Sequence, residues 1–263
     1  MYDFEYLKPS TIAEAVRILG AESEAKALAG GQTFIPVLKQ RLNKPSMIVD
    51  LRALSLVGIT ASADKITIGA MTTHGAIMAD KDIHERIPGL AKMASWIGDT
   101  QVRHRGTLGG SLANNDPSSC YPAAALALGA TIVTDKRRIP VDQYFQGMFT
   151  TALAQEELIT SVEFPIPEKS NYEKFRNPAS RYAMVGVFVA RGPAGVRVAI
   201  TGAAQDGVFR HTAMEQALTT NWSPDAIRDI VTPADGLNSD IHASAEYRAH
   251  LIGVMARRAV AGC

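Results

Sequence analysis

Ala25–Leu42 reads AKALAGGQTFIPVLKQRL. A short apolar run, Ala27-Leu28-Ala29, meets the pair Gly30-Gly31, then Gln32 and Thr33. Phe34, Val37, Leu38 and Leu42 follow at helical spacing, with Pro36 near the start, where proline is tolerated. The pattern predicts a strand, a glycine turn and a helix. Such a turn offers backbone N–H groups that no helical carbonyl uses, and these attract phosphate. Adjacent glycines also let the main chain approach a ligand with no Cβ in the way. A tight strand-to-helix turn with no ligand fits the same residues.

A second segment, Arg103–Pro117 (RHRGTLGGSLANNDP), repeats the chemistry. Gly109-Gly110, with Gly106 before them, sit among Thr107, Ser111, Asn114 and Asn115, and Asp116 closes the segment. Two glycine-and-hydroxyl loops converging on one ligand would clasp a diphosphate from both sides. The spacing fits neither a G-x-G-x-x-G fingerprint nor a Walker P-loop, which needs Gly-Lys-Ser/Thr. A dinucleotide ligand is compatible with it; a Rossmann fold does not follow.

Working outward, 263 residues that are 46% hydrophobic suffice for one large core or two smaller ones. The 27 basic and 26 acidic residues are well mixed, which leaves no footprint for nucleic acid or an acidic membrane surface. The longest apolar window, Tyr121–Val133, contains Pro122 and is far short of the ~20 residues of a membrane span. The opening MYDFEYLKPS has no basic n-region and no apolar h-region, so no signal peptide is expected and a cytoplasmic location is. The two cysteines, Cys120 and Cys263, make no disulfide framework and cannot supply the four thiolates of an iron–sulfur cluster. No close metal-ligand spacing occurs among the six histidines, so the chain is expected to hold no metal.

Thr11 and Glu14 predict a capping box, and Ile12, Val16 and Leu19 the stripe of a first helix ending at Gly20. Strands are expected at the apolar run Ala27–Ala29 and at Ser46–Asp50, Val57–Ile59, Lys65–Ile68, Ala130–Thr134 and Leu158–Phe164. Helices are expected after Met71-Thr72-Thr73, at Pro88–Ile97 and at Tyr121–Leu128, with a loop or short helix over Gln143–Phe149. His74 reads as a surface or cap residue, since no second ligand is near it in sequence. The Pro- and polar-rich run Pro165–Asn171 marks a domain boundary. It divides residues 1–168, with subdomains of about 1–54 and 55–168, from a C-terminal domain of 172–263. There, Tyr182–Ala190 and Val196–Ala203 form a hairpin, followed by helices at Thr212–Leu218, Pro224–Ile230 and Ser244–Val260. In the last, Tyr247, Leu251, Val254, Met255 and Arg258 share the face expected to pack on the hairpin.

AGGQTFIPVLKQRL and VRHRGTLGGSLANNDP resemble the two FAD-binding signatures of the medium subunit of molybdenum hydroxylases, the group of the carbon monoxide dehydrogenase and xanthine dehydrogenase type enzymes. The resemblance extends to Phe4–Ala15, to IGAMTTH (Ile68–His74) and to the closing Ser239–Val260. It implies an α+β, two-subdomain FAD fold of the vanillyl-alcohol-oxidase (PCMH) type, followed by a small antiparallel sheet with helices. Residue by residue, Ala29, Gly30, Gly31, Gln32 and Thr33 match the first loop, expected around the diphosphate, with Leu28 and Ile35 flanking it. Thr107, Gly109, Gly110, Ser111, Asn114 and Asp116 match the second. Ile159 falls where the family packs a side chain near the adenine. Arg181–Gly186 matches a motif that approaches the isoalloxazine ring, which makes Tyr182 the candidate for shielding it.

Two positions depart from the pattern. Ser111 stands where asparagine is frequent, and Cys120 where many members carry aspartate, so one hydrogen bond to FAD is expected to be missing or replaced. Cys120 is read as a packed structural residue. The FAD is expected to be non-covalent, because the first loop offers Gln32 and Thr33 where a histidyl link would need histidine.

The resemblance further implies partners: a large molybdenum–pterin chain that hydroxylates substrate and a small chain with two 2Fe–2S clusters, in a dimer of heterotrimers. Electrons would reach the FAD from those clusters and leave to an external acceptor. No side chain here is assigned as a general acid or base. A stand-alone FAD-dependent, NAD(P)H-linked oxidoreductase of the same fold is the alternative, as is a non-catalytic scaffold, which loss of the glycine loops would favour.

Overall fold

The computed structural model describes residues 1–263. Its first unit runs β1 (Glu5–Leu7), α1 (Ile12–Ala21), β2 (Ala25–Leu28), α2 (Phe34–Lys39) and β3 (Met47–Asp50). The strands form a parallel sheet ordered β1–β3–β2. The Thr11 hydroxyl caps α1 by accepting from the Glu14 N–H at 3.2 Å. Glu14 reaches back to the Ser10 N–H at 3.0 Å, one residue before the cap, so the box is offset by one. Ala15, Ile18 and Leu19 form the buried stripe of α1, while Ile12 and Val16 lie at its margin.

The second unit begins with β4 (Ile59–Ala61) and β5 (Lys65–Gly69), then six helices: α3 (His74–Ala79), α4 (Lys81–Arg86), α5 (Pro88–Ser95), α6 (Thr100–Arg105), α7 (Leu108–Asn114) and α8 (Tyr121–Leu128). Strands β6 (Thr131–Thr134), β7 (Arg138–Pro140), β8 (Phe145–Gly147), β9 (Thr150–Thr151) and β10 (Ile159–Pro165) complete it. A five-stranded sheet is ordered β4–β5–β10–β6–β7, with every pair antiparallel. Val162 at its centre pairs with Ile68 on one side and Ile132 on the other. All eight residues of α8 are buried, as expected of a helix that is apolar on every side.

Two expectations change here. Gln143–Phe149 is mostly a β8–β9 hairpin rather than a loop or short helix, entered through a 3-10 turn at Val141–Gln143. The second glycine segment is not a loop either: Gly109 and Gly110 lie in the first turn of α7. Thr107 caps that turn and overrides the low helix propensity of the pair.

The last unit contains β11 (Lys169–Arg176), β12 (Ala183–Gly192), β13 (Gly195–Ala204), β14 (Gly207–Arg210), α9 (Thr212–Thr220) and α10 (Ala245–Ala261). The expected hairpin is the centre of a four-stranded antiparallel sheet ordered β11–β12–β13–β14. Strand β11 starts inside the Pro-rich boundary run, and Pro224–Ile227 is a 3-10 turn rather than a helix to residue 230. Val187, Val198 and Ile200 pack on Leu251, Ile252 and Met255 of α10. The opposite face, with Tyr172, Phe188 and Ala199, joins the core that contains α8. Burial on both faces is why β12 reads as a continuous apolar run. The buried stripe of α10 is Arg248, Leu251, Ile252, Met255, Ala256 and Ala259, while Tyr247 and Arg258 are exposed. The expected face was therefore rotated by about a third of a turn. No helix is long and apolar enough to cross a membrane.

Candidate functional site

Strand β2 delivers Ala29–Thr33 to the start of α2. Gly31 takes φ of 73°, the left-handed region in which glycine is the unstrained residue. At Gly30 a Cβ would run into the carbonyl oxygen of Arg105, so the first glycine segment is in backbone contact with the end of α6. The N–H groups of Gly30, Gly31, Gln32, Thr33 and Phe34 donate to no backbone or side-chain acceptor of the chain. A run of unspent donors beside two glycines is the feature that receives a phosphate.

The second segment contributes differently. In the first turn of α7 the N–H of Leu108 donates to Thr72, that of Gly109 to Ala70 and that of Ser111 to Thr107. The Gly110 N–H donates to the Thr107 hydroxyl at 3.2 Å. Those donors are spent within the fold, so the second segment offers a ligand its side chains rather than its N–H groups. Gly109 and Gly110 serve close packing: a Cβ on Gly109 would lie 2.7 Å from the Ala70 Cβ, and one on Gly110 2.9 Å from Thr107 Oγ1. Neither has a positive φ.

Between these segments and the 179–182 loop lies a cleft of about 1080 Å³. That exceeds the ~300–1,000 Å³ usual for drug-sized ligands and suits a dinucleotide. Ala29, Gly30, Gly31, Gln32 and Thr33 line one wall. Thr107, Gly109, Gly110, Ser111, Asn114 and Asp116 line another, Ile159 lies deeper, and Tyr182 stands half-exposed at the mouth. Leu28 and Ile35 do not line the cleft; they pack against the outer side of the Gly31 turn. Ser111 Oγ is 2.6 Å from Ser119 Oγ, and Asp116 accepts from the Ser118 N–H. Asn115, between two cleft residues, has another job: in the left-handed conformation (φ 43°) its amide donates to Gly147 and Thr150 and clamps the β8–β9 hairpin. Burial, then the negative charge of Asp116, pushes the Tyr182 phenol up.

Several lining residues escaped the sequence. His74, expected at the surface or a cap, is 6% exposed and lies against the cleft. Its ring centroid is 5.0 Å from that of Tyr121, and its Nδ1 is buried without a hydrogen-bond partner. Burial, aided by the Arg103 charge, drives its pKa down to about 4, so the imidazole is neutral. Glu157 also lines the cleft, its carboxylate held by Arg137, Thr134 and the Ala154 N–H, and its pKa is lowered to about 2, chiefly by the Arg137 hydrogen bonds. Cys120 is buried as expected, but it forms part of the cleft wall, with Lys174 Nζ 3.6 Å from its Sγ. Thr72-Thr73 signals a helix start but not the burial of His74, and Lys174 has no signal, because KSNYEKFR does not alternate like a strand.

A cleft of this size, with unspent N–H donors at two glycines, fits FAD. The family description "FAD binding domain in molybdopterin dehydrogenase" matches residues 2–167. The chain is 34% identical to the carbon monoxide dehydrogenase medium chain of Afipia carboxidovorans, over 98% of this chain and 95% of that one. It is 33% identical to the nicotine 6-hydroxylase medium subunit of Paenarthrobacter nicotinovorans, over 97% and 95%. Reconstituted CO dehydrogenase from Oligotropha carboxidovorans superimposes with a TM-score of 0.90 at 32% identity, covering 99% of this chain and 97% of that one. Quinoline 2-oxidoreductase from Pseudomonas putida 86 does so with a TM-score of 0.88 at 28% identity, covering 99% and 96%. With a family match over more than half its length and full-length relatives of this kind, the chain belongs to the family of FAD-binding medium subunits of molybdenum hydroxylases, an oxidoreductase subunit of a molybdenum-dependent dehydrogenase.

Proposed function

We propose that the chain holds FAD non-covalently in the cleft and acts as the electron-exit subunit of its complex. In this reading it takes electrons from 2Fe–2S clusters on a small partner chain and passes them to an external acceptor. The observation that carries it is the run of free N–H groups from Gly30 to Phe34 opening on a dinucleotide-sized cleft. Bound FAD supplies the redox chemistry, exchanging electrons singly or in pairs.

The chain's own residues bind, orient and shield. The Gly30–Thr33 main chain takes the diphosphate, and Thr107, Ser111, Asn114 and Asp116 line the opposite wall, Asp116 as an acceptor for cofactor O–H or N–H groups rather than a phosphate contact. Ile159 packs near the adenine, and Tyr182 at the mouth keeps water from the ring. Leu28 and Ile35 support the Gly31 turn from behind. Residues 1–168 form the FAD-binding domain in this division, and 172–263 a C-terminal domain that carries the Tyr182 loop. Cys120 and Cys263 cannot ligate a cluster between them, so the electron source lies in another chain. The partners are the small iron–sulfur chain and a large molybdenum–pterin chain, in a dimer of heterotrimers in the cytoplasm.

Acid precipitation of the purified chain should release yellow FAD. Under anaerobic conditions a hydroxylase substrate should bleach the flavin only when both partner chains are added. Bleaching of the isolated chain by the hydroxylase substrate at the same rate would make it a self-sufficient enzyme and overturn this reading.

A further inference from the structure

Lys174 is a buried cation with no anion beside it. It is 7% exposed, sits on β11 and lines the cleft. Its Nζ donates to the Trp96 carbonyl at 2.9 Å and the Arg181 carbonyl at 3.1 Å, and lies 3.6 Å from Cys120 Sγ. No carboxylate forms an ion pair with it, and its neighbour Glu173 is engaged by Lys92 at 2.6 Å. Arg248, the other buried cation, is paired with Asp240 at 2.7 Å. Buried charges are normally neutralised because an uncompensated one is costly in a low-dielectric interior. Two carbonyls accept from the Lys174 ammonium, but neither carries a compensating charge, and the side chain lines the same cleft as the Arg181–Tyr182 loop.

We propose that Lys174 is an electrostatic residue of the cofactor site: a fixed positive charge, left unneutralised beside Cys120, that stabilises the reduced, anionic form of the bound flavin. This rests on the FAD reading above, and within it on the ring lying against the 179–182 loop. Two-electron reduction of a flavin takes up two electrons and one proton and leaves one negative charge on the ring. At an effective dielectric of about 20, a unit charge within about 10 Å changes the equilibrium for that step by more than tenfold. The Lys174 side chain thus biases the flavin toward accepting electrons, while Trp96 and Arg181 hold the charge in position.

The measurement is the midpoint potential of FAD bound to the full chain, titrated anaerobically with dithionite against a redox dye, alongside FAD affinity. Lys174→Met removes the charge, and Cys120→Asp neutralises it with Lys174 still in place. Each should weaken the reduced form relative to the oxidised form at least tenfold, a downward shift of about 30 mV for a two-electron couple. Lys174→Arg and Cys120→Ala should keep the parent potential within twofold in that ratio. If Lys174→Met does not fold, Cys120→Asp carries the test. An unchanged potential in FAD-loaded Cys120→Asp, or a loss of FAD affinity without a shift in Lys174→Met, makes Lys174 a strut and overturns the proposal. A rise in Cys120→Ala would show that Cys120 already neutralises the charge, and would overturn it equally. Failure of the parent chain to take up FAD would instead overturn the cofactor reading beneath it.

Discussion

Gly30 touches Arg105 backbone to backbone: its Cα hydrogen points at the Arg105 carbonyl oxygen, where no Cβ fits. This contact joins the two signature segments across 75 residues of chain. Gly30→Ala should force the first loop away from α6. Backbone cannot yield as a flexible side chain would, so a destabilisation of about 1–3 kcal/mol is expected, with FAD retention lost. Denaturant unfolding and the flavin absorbance of the purified variant check both halves.

Gly110→Val should also lose FAD, through packing rather than backbone strain, because Gly110 has no positive φ. A branched side chain there meets Thr107 Oγ1 at 2.9 Å and Ala29 Cβ at 3.4 Å, pressing the cap of α7 against the first loop. A folded variant by circular dichroism with normal FAD occupancy would remove the second segment from the binding site.

Asn115 is expected to matter for stability more than for binding. Asn115→Ala removes two hydrogen bonds to the β8–β9 hairpin and places alanine in the left-handed region. Together these cost about 2–4 kcal/mol. Asn115→Gly loses the same hydrogen bonds without the conformational penalty and should be less damaging by about 1 kcal/mol. Urea midpoints of the two variants, compared at constant slope, separate the contributions.

His74 should give the fold an acid-sensitive window. Its pKa is about 6.5 in an unfolded chain and about 4 in the folded protein, because burial disfavours the charged ring. The unfolded state therefore binds a proton first. The associated stability is fully present above pH 6.5 and is lost as pH falls toward 4, a change of about 3 kcal/mol. Glu157, lowered to about 2, adds a second loss below its ordinary range. In His74→Gln the slope of stability between pH 6.5 and 4 should flatten while the loss below pH 4 remains, as thermal midpoints across pH would reveal.

Much of this molecule is legible residue by residue because the responsible interactions are local. Thr11 and Glu14 mark the start of α1, Gly30-Gly31 the turn from β2 to α2, and the run of alanines and leucines at Tyr121–Leu128 a helix with no polar face. The Gly192–Gly195 turn likewise announces the β12–β13 hairpin. The two glycine segments, with Phe4–Ala15 before them and Ser239–Val260 closing the chain, sufficed together for the family resemblance.

What lay beyond the sequence depends on contacts between distant elements. Strand β11 is invisible as a strand because its polar side chains are satisfied across the fold, Asn171 by Ala259 and Lys174 by Trp96. The burial of His74 follows from α3 packing beneath α6 and against Tyr121, and nothing in the residues around it encodes that neighbour. The two glycine pairs look alike in sequence, yet one keeps its N–H groups free and the other spends them on Ala70, Thr72 and Thr107. Residue types and their spacing determined which groups this chain can offer a ligand. Tertiary structure decided which of those donors and charges stay unpaired, because pairing is settled by whichever partner the fold brings within hydrogen-bonding distance.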